Sequence, residues 1–145
     1  IAAAMVNATV VKTFAAGEPA LARDLAVEDG AWYADFDQSR TIQLFEVADP
    51  GLESGVAIYR AQLKAEDVRG RAYLEMWCRF PGKGEFFSRG LADAVSGTTD
   101  WTWRETPFLL PEGERPDLIR LNLVVEGAGK VGIREVQLLR APLNR

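Results

Sequence analysis

A chain of 145 residues, 48% hydrophobic and 26% charged, has the balance of an ordinary globular protein built on one core. Its net charge of −4, with Lys and Arg scattered among acids, leaves no electrostatic footprint for nucleic acid and disfavours a membrane-surface role, and no apolar run is long enough to span a membrane. Histidine is absent and Cys78 is the single cysteine, which removes the commonest general base, the usual zinc ligand, every Ser–His or Cys–His nucleophile pair and any intramolecular disulfide.

Taken in chain order, the pattern is a strand-length run followed by a turn. Ile1 to Met5 reads as the start of a trimmed or processed chain, and Asn7-Ala8-Thr9 matches a glycosylation sequon. Residues 8–14 are rich in β-branched side chains and predict a strand. Residues 20–29 carry Leu21 and Leu25 four apart and predict a short helix. Strands follow over 31–36 and 41–47, then the turn Asp49-Pro50-Gly51. Two long strands, 56–66 and 71–80, are separated by Val68-Arg69-Gly70. Pro81-Gly82-Lys83-Gly84 turns the chain into the short run 85–88. A strand over 101–110 ends at Pro111-Glu112-Gly113, and 118–126 and 130–139 form a hairpin across Gly127-Ala128-Gly129. So many strands without a long helix indicate an all-β fold, an antiparallel sandwich or barrel of one domain over residues 1–145.

Alternate residues of a strand point to opposite faces, so the period of two assigns sides. Ile119, Leu121, Leu123 and Val125 share one side, and Ala72, Leu74, Met76, Cys78 and Phe80 share another; both sides read as core. The reverse sides carry Arg120 and Asn122, and Tyr73, Glu75, Trp77 and Arg79. In 57–64, Ala57, Tyr59, Ala61 and Leu63 oppose Ile58, Arg60, Gln62 and Lys64. Aromatic rings interleaved with charges on a polar side suggest a surface that something covers.

Residues 55–140 resemble galactose-binding-like jelly-roll domains, a group that includes many carbohydrate-binding modules. The resemblance rests on Gly97-Thr98 to Trp101, Phe108, Pro111 to Gly113, the alternation from Ile119 to Val125, Gly127 to Gly129, and Val131 to Leu138. Within the group the chain is similar to exported bacterial domains without a known activity. The resemblance implies a jelly-roll β-sandwich of about eight or nine strands, an extracytoplasmic location and non-catalytic binding. In relatives an acidic pair on the last strand lies near a structural calcium. Arg134-Glu135 stands in that position here, so only Glu135 could be a ligand and Arg134 opposes the ion; no cofactor is expected.

The expected binding surface is the polar side around Trp77, with Glu75, Arg79 and Tyr73 on the same strand and Arg120 and Asn122 beside them. An indole offers a stacking face for the C–H bonds of a sugar, and Glu and Arg offer directional hydrogen bonds to hydroxyls or acids. Arg60 and Gln62 extend this side if their strand is a neighbour. Trp101 is expected in the core. Trp103 either packs at an edge or stands as an exposed contact at the rim of the site. Residues 80–90 are a second candidate, where Lys83, Glu85 and Arg89 could reach a ligand, weighed against a hairpin loop in which Phe86 or Phe87 plugs the sandwich edge. Cys78 reads as a buried, inert thiol. Of Glu75, Glu85, Asp100, Glu105 and Glu135, spacing singles out no catalytic pair, so no enzyme is expected. The preferred ligand is a carbohydrate or envelope glycan. The alternative is a protein partner meeting the same aromatic and charged face; a groove would favour the first and a flat patch the second.

Overall fold

The computed structural model describes residues 7–15 and 18–143, and the Ile1 to Met5 stretch lies outside them. Among the described residues nine strands form: β1 (Thr9–Phe14), β2 (Ala26–Glu28), β3 (Ala31–Phe36), β4 (Arg40–Ala48), β5 (Gly55–Phe80), β6 (Gly84–Arg89), β7 (Val95–Leu110), β8 (Leu118–Glu126) and β9 (Gly129–Ala141). Every pairing between them is antiparallel. Among the described residues no helix is long and apolar enough to cross a membrane.

The two long strands expected at 56–66 and 71–80 are one continuous strand, β5, which passes from one layer to the other. Its first half, Val56 to Glu66, pairs with β9 on one edge and β7 on the other. Its second half, Arg71 to Phe80, pairs with β8 and β6. The first layer is completed by β3 and β1, which cover successive stretches of the far edge of β9. The second is completed by β4, beside β8.

Val68-Arg69-Gly70 therefore bends the chain without ending the strand. Asp67 takes a positive φ of 51°, its N–H donates to Thr98 Oγ1 at 3.1 Å, and the register against β7 slips on both sides of Val68. Gly70 is required there, because a Cβ would run into the backbone carbonyl of Glu126.

The core lies between the layers and follows the period of two. Ile119, Leu121, Leu123 and Val125 of β8 meet Ala72, Leu74, Met76, Cys78 and Phe80 of β5, all almost wholly buried. The inward side of the first layer is Ala57, Tyr59, Ala61 and Leu63. Burying one such Leu stabilises the fold by about 1.5–3 kcal/mol. Phe14 stacks on Phe45 at 4.2 Å, Trp32 meets Phe45 edge-on at 5.4 Å, and the indole N–H of Trp32 donates to the Glu18 carbonyl at 3.2 Å.

The short helix expected over 20–29 does not form. The N–H groups of Leu21 and Ala22 donate at 2.8 Å to the carbonyls of Leu44 and Gln43, and 26–28 become β2. Ala20, Ala22 and Leu25 lie against the core, so alternation serves this segment better than a helical turn would.

Candidate functional site

The outer side of the second layer is set by the register of four strands. One row across it is Gln43, Asn122, Glu75 and Arg89; the next is Glu46, Arg120, Trp77 and Phe87; the next is Ala48, Leu118, Arg79 and Glu85. Tyr73 lies one row beyond Glu75, opposite Val124. Six of the expected residues, Tyr73, Glu75, Trp77, Arg79, Arg120 and Asn122, thus share one face.

Glu75 is only 3% exposed, and its carboxylate is spent on neighbouring side chains. One carboxylate oxygen accepts from the Trp77 indole N–H at 2.9 Å and from the Asn122 amide at 3.0 Å, and the other accepts from Arg89 Nε at 2.7 Å. Burial alone would raise its carboxyl; the three hydrogen bonds outweigh burial and hold it below the usual carboxylate range. Glu75 is the hub that fixes the indole, the amide and a guanidinium in place. At neutral pH the group is therefore an anion that accepts hydrogen bonds.

The rest of the face is built around that hub. Phe87 packs on Trp77 at a tilt, ring centroids 5.1 Å apart, and the Arg89 guanidinium lies 4.1 Å over the Phe87 ring. Arg120 bridges Glu46 at 3.1 Å and Glu85 at 3.0 Å. A depression of about 310 Å³ opens here, lined in part by Gln43, Glu75, Trp77, Arg89, Arg120 and Asn122. Arg79 pairs with Asp117 at 2.9 Å, and the Tyr73 hydroxyl donates to Glu126 at 3.2 Å, so both are committed to neighbours at the margins.

Gln43, Glu46 and Phe87 belong to this face although they stood outside the expected set, and Arg89, expected only as a residue of the 80–90 candidate, joins them. Their signal was the alternation of β4 and β6, which becomes useful only once the strand order is known. Phe86 and Phe87 do not plug the sandwich edge. They are 47% and 48% exposed, Phe86 resting edge-on against Phe80 and Phe87 lying on Trp77.

Arg60, Gln62 and Trp103 are not part of it. The bend in β5 carries Arg60 and Gln62 into the first layer, where Arg60 lies 3.6 Å over the Trp103 ring. They lie on the opposite side of the sandwich from Trp77. Trp103 is 40% exposed, a surface residue but not at the rim of the expected site. Trp101 is not in the core either. It is half-buried on this same outer side, edge-on to Tyr33 at 6.2 Å, because the inward positions of β7 are Thr102, Arg104, Thr106 and Phe108, the partners of inward Leu63, Ala61, Tyr59 and Ala57.

Cys78 is fully buried and burial pushes its thiol up to about 12. Among the described residues no cluster of three or more His, Cys, Asp or Glu is arranged to hold a metal ion. Glu135, the acid left at the position of the relatives' calcium pair, is exposed at a positive φ of 55°.

No protein-family model matches the sequence, and no curated protein matches it. Solved structures do. The CBM22-1 xylan-binding domain of Paenibacillus barcinonensis Xyn10C superposes with a TM-score of 0.61 at 9% identity, over 94% of this chain and 97% of that one. CBM29_1, a carbohydrate-binding module from Piromyces equi, gives 0.52 at 13% identity over 93% and 91%. The CBM22-1 and GH10 modules of Clostridium thermocellum Xyn10B, complexed with xylohexaose, give 0.56 at 11% identity over 96% of this chain and 26% of that one. At such identities the likeness is one of architecture: the chain has the antiparallel β-sandwich fold of carbohydrate-binding modules.

Proposed function

We propose that this domain binds a neutral glycan, without chemistry, on the outer face of the second layer. The observation that carries the reading is the Glu75 hub: a buried carboxylate that locks Trp77, Asn122 and Arg89 around one depression. A site whose side chains are fixed before binding loses little entropy when it is filled. Trp77 and Phe87 supply apolar ring surface for the C–H face of a sugar. Gln43, Arg89 and Arg120 supply donors and acceptors for its hydroxyls.

The depression also favours a sugar over the protein partner considered above, which would call for a flatter patch. The fold adds support, since one structure of this architecture is a xylan-binding domain and another is complexed with xylohexaose. The reading places the domain outside the cytoplasm, where polymeric glycans are met. It also makes binding independent of Ca²⁺, because Arg134 occupies the position an acidic ligand would need.

The test is calorimetric titration with xylohexaose, cellohexaose and mannohexaose. Binding of at least one, weakened about tenfold or more by Trp77→Ala and by Phe87→Ala, supports the reading. Absence of binding to any of the three, or binding that both variants leave intact, overturns it.

A further inference from the structure

The two faces of the sandwich handle charge in opposite ways. On the second layer Arg71, Arg79, Arg89 and Arg120 each hold a carboxylate within 3.1 Å. On the outer side of the first layer Arg60, Lys64, Lys130 and Arg134 take part in none of the ion pairs found among the described residues. Each lies over an aromatic ring instead: Arg60 at 3.6 Å and Arg134 at 4.1 Å from the ring centres of Trp103 and Trp101, Lys130 at 5.1 Å from Tyr33, and Lys64 at 6.0 Å from Trp101.

The two arginines are also held by the same device. Arg134 Nε donates to Gln62 Oε1 at 2.7 Å, and Arg60 Nη1 donates to Gln137 Oε1 at 3.4 Å. Each guanidinium is therefore steadied by a glutamine on the neighbouring strand and backed by an indole, without a close ion pair. Gly132 leaves the space that lets the rings close up, since a Cβ there would lie 2.7 Å from Tyr33 Cε1 and 2.9 Å from Trp101 Cη2. Acids do border the strip. Asp35 and Glu66 lie opposite Lys130 in register, and Glu105 lies opposite Arg60, yet none of them closes to an ion pair.

We infer that this face is a second binding surface, for a polysaccharide that carries carboxylates, a polyuronate. A carboxylate is planar and takes two N–H groups from a guanidinium edge-on, which leaves the flat face of that guanidinium on its indole. The exposed ring of Trp103 and the half-buried ring of Tyr33 serve the sugar rings between the acids. The cations of β5 and β9 interleave: Gln62 pairs with Arg134 and Lys64 with Gly132, so Arg60, Arg134, Lys64 and Lys130 follow one another two residues apart, about 7 Å along the strands. The chain as a whole has a net charge of −4, which disfavours a polyphosphate. Four cations backed by aromatic rings, on an acidic protein, suit a polymer that offers both a carboxylate and an apolar sugar face. The inference goes beyond the neutral-glycan site and does not depend on it.

The test is affinity electrophoresis and calorimetry of the whole chain with polygalacturonate, with xylohexaose and with oligo-dT of twenty nucleotides, at low and physiological salt. Polygalacturonate is expected to bind at low salt and more weakly as NaCl rises. Arg60→Gln combined with Arg134→Gln, and separately Trp103→Ala, should weaken it about tenfold or more, with melting temperatures near that of the wild type as the folding control. Trp77→Ala should leave it unchanged, so the two surfaces fail independently. No binding of polygalacturonate at low salt, loss with Trp77→Ala but not with the arginine variant, or tighter binding of oligo-dT would each overturn the inference.

Discussion

Glu75→Gln is the substitution that isolates the hub. The amide oxygen of Gln can keep the bonds from Trp77 and Asn122, because both go to the same carboxylate oxygen at 2.9 and 3.0 Å. The amide nitrogen then faces Arg89 Nε, donor against donor, where a 2.7 Å charge-assisted bond stood. Such bonds are worth about 1.5–3 kcal/mol. The Arg89 side chain is 37% exposed and regains water when released, so the lower part of that range applies, about 1.5–2 kcal/mol. For a chain of this length that is a fall in melting temperature of about 3–8 °C.

The deficit is tied to pH. Because the folded-state carboxyl lies below its ordinary value of 4.5, its contribution is complete above that value and is lost as pH falls through the folded one. Urea unfolding of both proteins at pH 7 and at pH 2–3 therefore gives a deficit in the first condition that shrinks towards nothing in the second. Equal stability at pH 7, or an equal deficit at both, would refute the argument that the three bonds outweigh burial.

Three further substitutions or reactions test other parts of the account. Glu105 is 8% exposed with one carboxylate oxygen lacking a hydrogen bond, and burial raises its carboxyl, so Glu105→Gln should raise the melting temperature at pH 7 and lose that gain at low pH, where the native side chain is already neutral. Gly70→Ala sets a methyl group against the Glu126 carbonyl, a backbone atom that cannot swing aside; urea titration should show a loss of about 1–3 kcal/mol, and an unchanged midpoint would mean that the β5 bend tolerates a side chain. Cys78, with its thiol pushed up to about 12, should be silent to a thiol reagent at pH 8 in the native protein and titrate fully in urea; fast native labelling would contradict its place in the core.

Most of the fold was legible because its strands keep a clean period of two. Residues 72–80 and 119–125 state their inner sides outright, and the turns at Gly51, Gly82 and Gly127 take the positive φ that glycine admits. The site was legible to the extent that β5 and β8 are neighbours. Trp77, Arg120, Glu75 and Asn122 fall into adjacent rows for that reason alone. What period cannot reveal is a change of layer within a strand. The bend at Asp67 to Gly70 moves Arg60 and Gln62 to the other side of the molecule, and it shows in the sequence only as three residues that read like a loop. Trp101 misled for a related reason. β7 lies at the edge of its layer, where Thr102 and Arg104 face inward and the tryptophans outward, so the larger apolar residues mark the wrong side. Burial of Glu75 was hidden as well, since a carboxylate between Leu74 and Met76 reads as an ordinary surface acid until its three donors are in place.

The four tryptophans provide the most direct test of the neutral-glycan site, because they report separately on the core and on both faces. Trp32 is buried, Trp77 lies on the outer side of the second layer, and Trp101 and Trp103 lie on that of the first. Two-dimensional ¹⁵N–¹H spectra resolve their indole N–H groups during titration with xylohexaose and cellohexaose. The account predicts that the Trp77 resonance, whose N–H is anchored on Glu75, shifts progressively while that of Trp32 stays in place. Movement of Trp101 and Trp103 with Trp77 unaffected, or no movement of any of the four with either sugar, would contradict it.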